Sequence, residues 1–336
     1  MKKKANIYDV AERAGVSHQT VSRVMNNHAS VKPATREKVE RAIIKLNYRP
    51  NPAARQLVTS QSRMIGLLVA DLELYGPSSM LIAIEREARV TGYSVITIPV
   101  VRESRASWLG GIEHLKKLDI DGVITIALTK EVFPEIKKAL RGVAIVGLQN
   151  EPSKDADVVN VDNLAGGKMA TEYLIDLGHT EIVHISGPVK SYEANMRKLG
   201  YTQAMKGAGF KPVIEAGNWS METGFEIGKK IFAGANIPTA IFCANDHLAI
   251  GVIKATSKSL RVPNDLSLVG FDDVPESSYL TPSLTTVKQN FEDLGKIAIN
   301  RILTQMKNPI KSEIFMTNAS LIVRESTQPP KSGKKK

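Results

Sequence analysis

Apolar residues recur along this chain with two different periods, and the change between them divides it. From Ile7 to Leu46 the spacing is helical. Val10, Ala11 and Ala14 share one side of a helix that Gly15, which takes a left-handed backbone without strain, brings to an end. Ser17 suits the N-cap of a second helix, His18 to Met25, with Val21, Val24 and Met25 turned inward. Pro33 opens a third helix, and Val39, Ile43 and Leu46 give it a core-facing stripe. Three short helices with a tight glycine turn between the first two predict a helix-turn-helix unit.

After Arg63 short aliphatic runs alternate with helical patterns. The runs predict strands at Ile65–Ala70, Val95–Ile98, Gly122–Ile126, Ala144–Leu148, Val158–Val161, Ile182–Ile185, Ala240–Cys243 and Leu268–Phe271. Helical patterns such as Met80–Val90, Ala194–Ala208 and Leu248–Lys258 separate most of them. This is the order of right-handed βαβ units in a doubly wound parallel sheet. There are too many strands for one sheet, so two lobes of the periplasmic-binding-protein kind are expected, with the switch near Val161. The helix Phe291–Met306 and a strand Ile314–Leu321 are expected to return to the first lobe, crossing near Gln289.

Between the two patterned regions lies Asn47-Tyr48-Arg49-Pro50-Asn51-Pro52, then Ala53-Ala54-Arg55-Gln56-Leu57 and a polar stretch, too short to fold alone. The expected organisation is an all-α helix-turn-helix domain over 1–49, a hinge helix and linker over 50–62, and an α/β sensor over 63–326. A disordered basic tail over 327–336 completes it.

Composition adds a direction to this outline. Aromatics are only 5% of the 336 residues, so the core must be aliphatic. Of the net charge of +11, the segment from Met1 to Arg63 holds +9, the four lysines from Lys331 onward +4, and the body between them −2. A basic amino-terminal module on a near-neutral body is the footprint of polyanion binding. Cys243 is the only cysteine, which excludes an intrachain disulfide and suits a reducing compartment. Without an apolar run behind the amino-terminal lysines or a membrane-length apolar stretch, a cytoplasmic protein is expected, with no membrane partner. Leucine heptads are missing near the carboxyl terminus, so no tetramerising coil is expected.

In a helix-turn-helix the second helix enters the major groove, which puts Ser17, His18, Gln19, Thr20, Ser22 and Arg23 at base edges. Gln pairs bidentately with adenine and Arg with guanine, each worth roughly 1–3 kcal/mol of discrimination. Lys2, Lys3, Lys4 and Tyr8 suit phosphates, which supply affinity without specificity. Ile7-Tyr8-Asp9-Val10-Ala11 with Gly15-Val16-Ser17-His18-Gln19-Thr20-Val21-Ser22-Arg23 resembles the lactose/galactose repressor (LacI/GalR) family of bacterial transcription regulators. The resemblance continues through Thr35-Arg36-Glu37-Lys38-Val39 and Leu46-Asn47-Tyr48-Arg49-Pro50-Asn51 to about Ser326.

That resemblance implies a non-enzymatic repressor of carbohydrate-utilisation genes, released from its operator by a sugar or glycoside effector. It implies His18, Gln19 and Arg23 as base readers, with His18 where the family pattern has tyrosine. Asn26 and Asn51 join the DNA contacts, and Ala54 and Leu57 fall at hinge positions in the minor groove, Leu57 as an apolar wedge. Leu57 is also readable as a linker hydrophobe packed on the sensor. Paired hinges require a homodimer on a near-palindromic double-stranded DNA site.

Ligands of α/β lobes bind beyond the carboxyl ends of strands. Asn245-Asp246, Asp272-Asp273 and Leu74-Tyr75-Gly76-Pro77 hold such places, although Asp246 also suits a helix cap and Asp272-Asp273 a turn. By the resemblance Leu74, Pro77, Arg197, Trp219, Asn245 and Asp272 hold the sugar, while Gln289 and Phe291 stand beside the pocket at the lobe crossover. Ala70, Thr125 and Gln149 depart from the family pattern of serine, asparagine and aspartate, so a different sugar is expected. Neither cofactor nor metal is implied, and whether the ligand releases or promotes DNA binding stays open.

Two rival classes fit less of the chain. A periplasmic sugar-binding protein has no use for residues 1–60 and needs an export signal. An enzyme would need more than His114, His179, His184 and His247 scattered without HExxH or nucleophile-elbow spacing, and Gly166-Gly167-Lys168 lacks the remainder of a phosphate loop.

Overall fold

The computed structural model describes residues 5–25, 28, 30–48, 61–256 and 260–331. The chain divides into two units, Met1–Ser62 and Arg63–Lys336.

In the first unit α1 (Ile7–Ala14) begins at a capping box: the Asn6 side chain accepts from the Tyr8 and Asp9 amides, and the Asp9 carboxylate accepts from the Asn6 amide at 2.7 Å. It ends at Gly15, whose φ of 67° is left-handed. Helix α2 (His18–Met25) and helix α3 (Pro33–Lys45) complete the unit. Val10, Ala11, Val21, Val24, Val39 and Ala42 form its core. Arg36 of α3 donates to the carbonyls of Val24 and His28, satisfying the end of α2.

The second unit is two doubly wound lobes. The first holds a parallel sheet in the order β11 (Ile314–Thr317), β5 (Asp157–Val161), β4 (Ala144–Leu148), β3 (Gly122–Ile126), β1 (Met64–Ala70) and β2 (Ser94–Val100). Leu67 and Val69 of β1 face a core shared with α4 (Tyr75–Val90) and α11 (Phe291–Lys307), through Ile84, Leu294, Ile299 and Ile302. Leu68 and Ala70 face the opposite core, with α5 (Arg105–Lys116) and α6 (Val132–Ala139). Period-two alternation in a strand covered on both faces explains why the sequence reads as one unbroken apolar run.

The second sheet runs β12 (Ala319–Ile322), β10 (Thr285–Gln289), β9 (Ser267–Asp272), β8 (Ala240–Cys243), β6 (Ile182–Ser186) and β7 (Val213–Ala216). Only the β10–β12 pairing is antiparallel. Helices α7 (Asn163–Asp176) and α8 (Tyr192–Gly207) pack together in this lobe, as do α9 (Met221–Phe232) and α10 (Asp246–Ala255). Both pairs cross at glycines. A Cβ on Gly167 would lie 2.3 Å from the Arg197 carbonyl oxygen, and one on Gly251 2.0 Å from that of Met221. The Gly166-Gly167 pair is therefore a packing device, Gly167 against the neighbouring helix and Gly166 against Phe271 of β9.

Three expectations change. The run Ile314–Leu321 is two strands: β11 joins the first sheet, and past Asn318 β12 joins the second. The chain thus crosses between lobes three times, near Val161, near Gln289 and at Asn318. Strands β7 and β10 lie outside the sequence-based set. The tail expected to be disordered is partly fixed, because the Gln328 carbonyl accepts from Ser267 Oγ at 2.9 Å and lies 3.0 Å from His179 Nε2. Lys331 pairs with Asp265. Among the described residues no helix is long and apolar enough to cross a membrane, and no His/Cys/Asp/Glu cluster suits a metal.

Candidate DNA-reading helix and effector pocket

Ser17 caps α2, its hydroxyl oxygen accepting from the Thr20 amide at 3.2 Å and lying 3.0 Å from Thr20 Oγ1. With Val21 and Val24 inward, the opposite side of the helix carries exposed His18, Gln19 and Arg23, with Thr20 and Ser22 half-buried. Tyr8, 65% exposed on α1, brings its ring within 5.2 Å of the His18 ring, so the two side chains share one surface. Asn26, Asn51, Ala54 and Leu57 lie outside the described residues, as does the hinge.

In the sensor all eight expected ligand residues line a single cavity: Leu74, Pro77, Arg197, Trp219, Asn245, Asp272, Gln289 and Phe291. It encloses about 440 Å³ between its walls, open solvent at its mouth included. Each arrives as the topology dictates. Leu74 is the N-cap residue of α4, Asn245 that of α10, Asp272 ends β9, Gln289 ends β10, and Phe291 begins α11. Arg197 reaches in from α8, nearly two turns past its N-cap Ser191.

A closed ring of hydrogen bonds runs around the pocket floor. Arg197 Nε donates to Asn163 Oδ1 at 2.8 Å, and Asn163 Nδ2 to Gln149 Oε1 at 3.0 Å. Gln149 Nε2 donates to Gln289 Oε1 at 3.4 Å, and Gln289 Nε2 to Asp272 Oδ1 at 2.6 Å. Asp272 Oδ1 then accepts from Arg197 Nη1 at 3.4 Å. Gln149 follows β4 of the first lobe, whereas the other four follow the Val161 crossing, so the ring ties the lobes together. The guanidinium of Arg197 also bonds the Ala244 carbonyl and lies 3.7 Å from the Phe271 ring centroid and 5.5 Å from that of Trp219. Burial pulls the Arg197 pKa down, opposed by the Asp272 charge, and pushes that of Asp272 up, opposed by Arg197 and the Gln289 amide.

The two alternative readings resolve. The helix cap is Asn245, whose Oδ1 accepts from the Leu248 amide at 2.9 Å while its Nδ2 holds the Trp219 carbonyl at 3.1 Å. Asp246 instead accepts from the Val274 amide and the Ser277 and Thr286 hydroxyls. Burial and the neighbouring Asp272 charge raise its pKa to about 7, against the pull of those three donors. Asp272 faces the pocket while Asp273 turns away to pair with Arg324 at 2.6 Å. Of the departures from the family pattern, Gln149 lies on the wall. Ala70 and Thr125 are buried off it, and Thr125 donates to Asn150.

The structure adds Met80, Arg102, Ala127 and Glu193 to the wall. Ala127, Gln149 and Asp272 take φ values of 55°, 54° and 115°, a left-handed backbone that costs non-glycine residues energy and tends to mark functional sites.

Two parallel-sheet lobes closing on a polar, aromatic-walled cavity, and in the same chain a helix-turn-helix with its reading helix exposed, define a ligand-regulated DNA-binding protein. Residues 6–51 match the sequence model of bacterial regulatory proteins of the lacI family, and residues 171–327 that of the periplasmic binding protein-like domain. The chain is 34% identical to the lactose operon repressor of Escherichia coli strain K12 over 98% of its own length and 92% of that protein's. It is also 34% identical to the ribose operon repressor of the same strain, over 91% and 94%. A crystal structure of the lac repressor dimer bound to operator and the anti-inducer ONPF superposes with a TM-score of 0.86 at 34% identity, covering 97% of this chain and all of that one. The chain belongs to the lacI family of bacterial regulatory proteins. It is an effector-regulated, DNA-binding transcriptional repressor and not an enzyme.

Proposed function

We propose that this repressor controls carbohydrate-utilisation genes from the cytoplasm and leaves its operator when a sugar or glycoside occupies the inter-lobe cavity. The observation that carries the reading is the convergence of all eight expected residues on one cavity whose floor is a hydrogen-bonded ring joining both lobes. Asp272 and Arg197 present the paired acceptor and donor that neighbouring hydroxyls need, and Trp219 offers a flat face for the apolar side of a pyranose. The names of the lactose and ribose repressors point to the same ligand class.

On this reading His18, Gln19 and Arg23 select bases while Tyr8, Ser17, Thr20 and Ser22, with Asn26 and Asn51, support the helix on DNA. Ala54 and Leu57 act in the minor groove beside the same residues of a second protomer, and a homodimer without a tetramerising coil reads a near-palindromic site. A ligand shifts operator occupancy only by its differential affinity for the two arrangements, about 1.4 kcal/mol for each tenfold change. Operator binding titrated at fixed salt with and without a panel of mono- and disaccharides tests this. At least one sugar is expected to weaken the complex tenfold or more. Operator affinity unmoved by every sugar that binds the protein rules out induction.

A further inference from the structure

The cavity wall carries four charged side chains, and one carboxylate oxygen among them is fully buried without a partner. Glu193 stands in the first turn of α8, 8% exposed. Its Oε1 accepts from Arg102 Nη2 at 3.2 Å, across the lobe boundary, while its Oε2 is buried without a hydrogen-bond partner. Arg102, 5% exposed, gives its Nε and Nη2 to Asp71 Oδ2 at 3.0 and 2.8 Å. Arg102 is therefore held by two carboxylates. The other wall cation, Arg197, is held by Asp272, Asn163 and the Ala244 carbonyl. The two lining cations face three carboxylates, Asp71, Glu193 and Asp272, so the charge around the cavity is net negative, and the wall atom that is both fully buried and without a partner is an acceptor.

An unsatisfied buried acceptor is costly unless a ligand fills it, and a carboxylate oxygen is filled by a hydroxyl or repels an anion. We propose that Glu193 sets the effector class, its free Oε2 accepting a hydrogen bond from a ligand hydroxyl and the same charge rejecting phosphorylated and acidic sugars. The effector is then an uncharged polyol with one apolar face, long enough to touch Trp219 and Glu193 together. This rests on the reading of the cavity as a carbohydrate site, and it deepens that reading by naming the ligand's charge.

The test is calorimetric titration of the full chain, free of DNA, with uncharged mono- and disaccharides and with phosphorylated or carboxylate counterparts, namely glucose 6-phosphate and glucuronate beside glucose and cellobiose. Wild type should bind one or more uncharged sugars and neither anion. Glu193→Gln, which keeps the shape and the Arg102 contact but exchanges one oxygen for a donor, should weaken the best uncharged sugar by about 10-fold to 100-fold, the worth of a hydrogen bond to a charged group. The same variant should narrow the gap between that sugar and its phosphorylated form, a selectivity change that mere loss of packing does not produce. Preference of wild type for an anionic sugar overturns the proposal, and this arm does not depend on any variant folding. So does affinity for uncharged sugars within twofold of wild type in both Glu193→Gln and Glu193→Ala. If no carbohydrate binds at all, the sugar reading of the cavity falls first and takes this one with it. Binding of uncharged sugars with Glu193 indifferent removes only the role of Glu193.

Discussion

Replacing Gly167 with alanine adds one methyl group where α7 and α8 cross, and the structure fixes what that methyl meets. It would lie 2.3 Å from the Arg197 carbonyl oxygen and 2.8 Å from the Arg197 Cα. Both are backbone atoms, so no side chain can rotate aside. Restoring ordinary contact requires the helices to part by about 1 Å, and overpacking of this kind costs about 1–3 kcal/mol, here near the upper end. With urea m-values of about 1–3 kcal/mol/M, the midpoint of unfolding should fall by about 1 M. The displacement acts on Arg197 itself, whose Nη1 is already 3.4 Å from Asp272 Oδ1, so effector affinity should fall as well. Gly110→Ala in α5 is the control, since a Cβ there meets nothing within 4 Å. It should raise stability by up to about 1 kcal/mol through helix propensity alone. Urea melts and effector titrations of the two variants read both quantities. If Gly167→Ala is as stable as Gly110→Ala and binds effector as wild type does, the glycine crossing does not set the position of Arg197.

Arg197→Met and Asp272→Asn, made singly and together, should be non-additive by about 2 kcal/mol in urea unfolding, as expected for contacting buried partners; simple additivity would show that the pair is uncoupled. Asp246 holds its proton to a higher pH in the folded chain than in the unfolded one, so its stabilising share is full below about pH 4 and lost as pH rises through about 7. Stability measured across that window should decline with a slope that Asp246→Asn removes, and an unchanged slope assigns the titration elsewhere. Arg23→Ala should cost about 1–3 kcal/mol on the preferred operator and relax selectivity at one base pair. An equal loss on all sequences, seen in competition gel shifts, would make Arg23 a phosphate contact instead.

What the sequence reveals of this fold depends on whether a segment is stabilised by apolar burial or by satisfied polar groups. Strands β1, β3 and β8 are visible because both their faces are aliphatic. Strand β10, Thr285-Thr286-Val287-Lys288-Gln289, is nearly as buried but carries one aliphatic residue. Its threonines are accommodated by hydrogen bonds, Thr286 to Asp246 at 2.5 Å and Thr285 with Thr327 at 3.1 Å, and those partners lie 40 and 42 residues away along the chain. Strand β7 is a four-residue edge strand, mostly exposed, with little pattern to read. Asn318 divides β11 from β12 without a Gly or Pro to mark the change of sheet.

The pocket shows the same division. Arg197, Trp219, Asn245 and Asp272 are legible because they match a family pattern or follow a strand. Asn163 and Gln149 close the hydrogen-bonded ring, but their place in it depends on which lobe each strand joins. Glu193 and Arg102 meet only across the lobe boundary, 91 residues apart. The left-handed backbone at Ala127, Gln149 and Asp272 is invisible in residues that are not glycine.

The three crossings between lobes impose an order on synthesis. The core beneath β1 needs Leu294, Ile299 and Ile302 of α11, and the edge of its sheet needs β11, yet about 150 residues separate Val161 from Ile314. At translation rates of about 5–20 residues per second, the first lobe waits roughly 8–30 s with one apolar face covered only by α4 while the second is made. Nascent chains ending before Lys307 should therefore be held by chaperones or aggregate. A repressor assembled in this way becomes competent only once nearly its entire length has left the ribosome, because the first lobe is completed by its last elements.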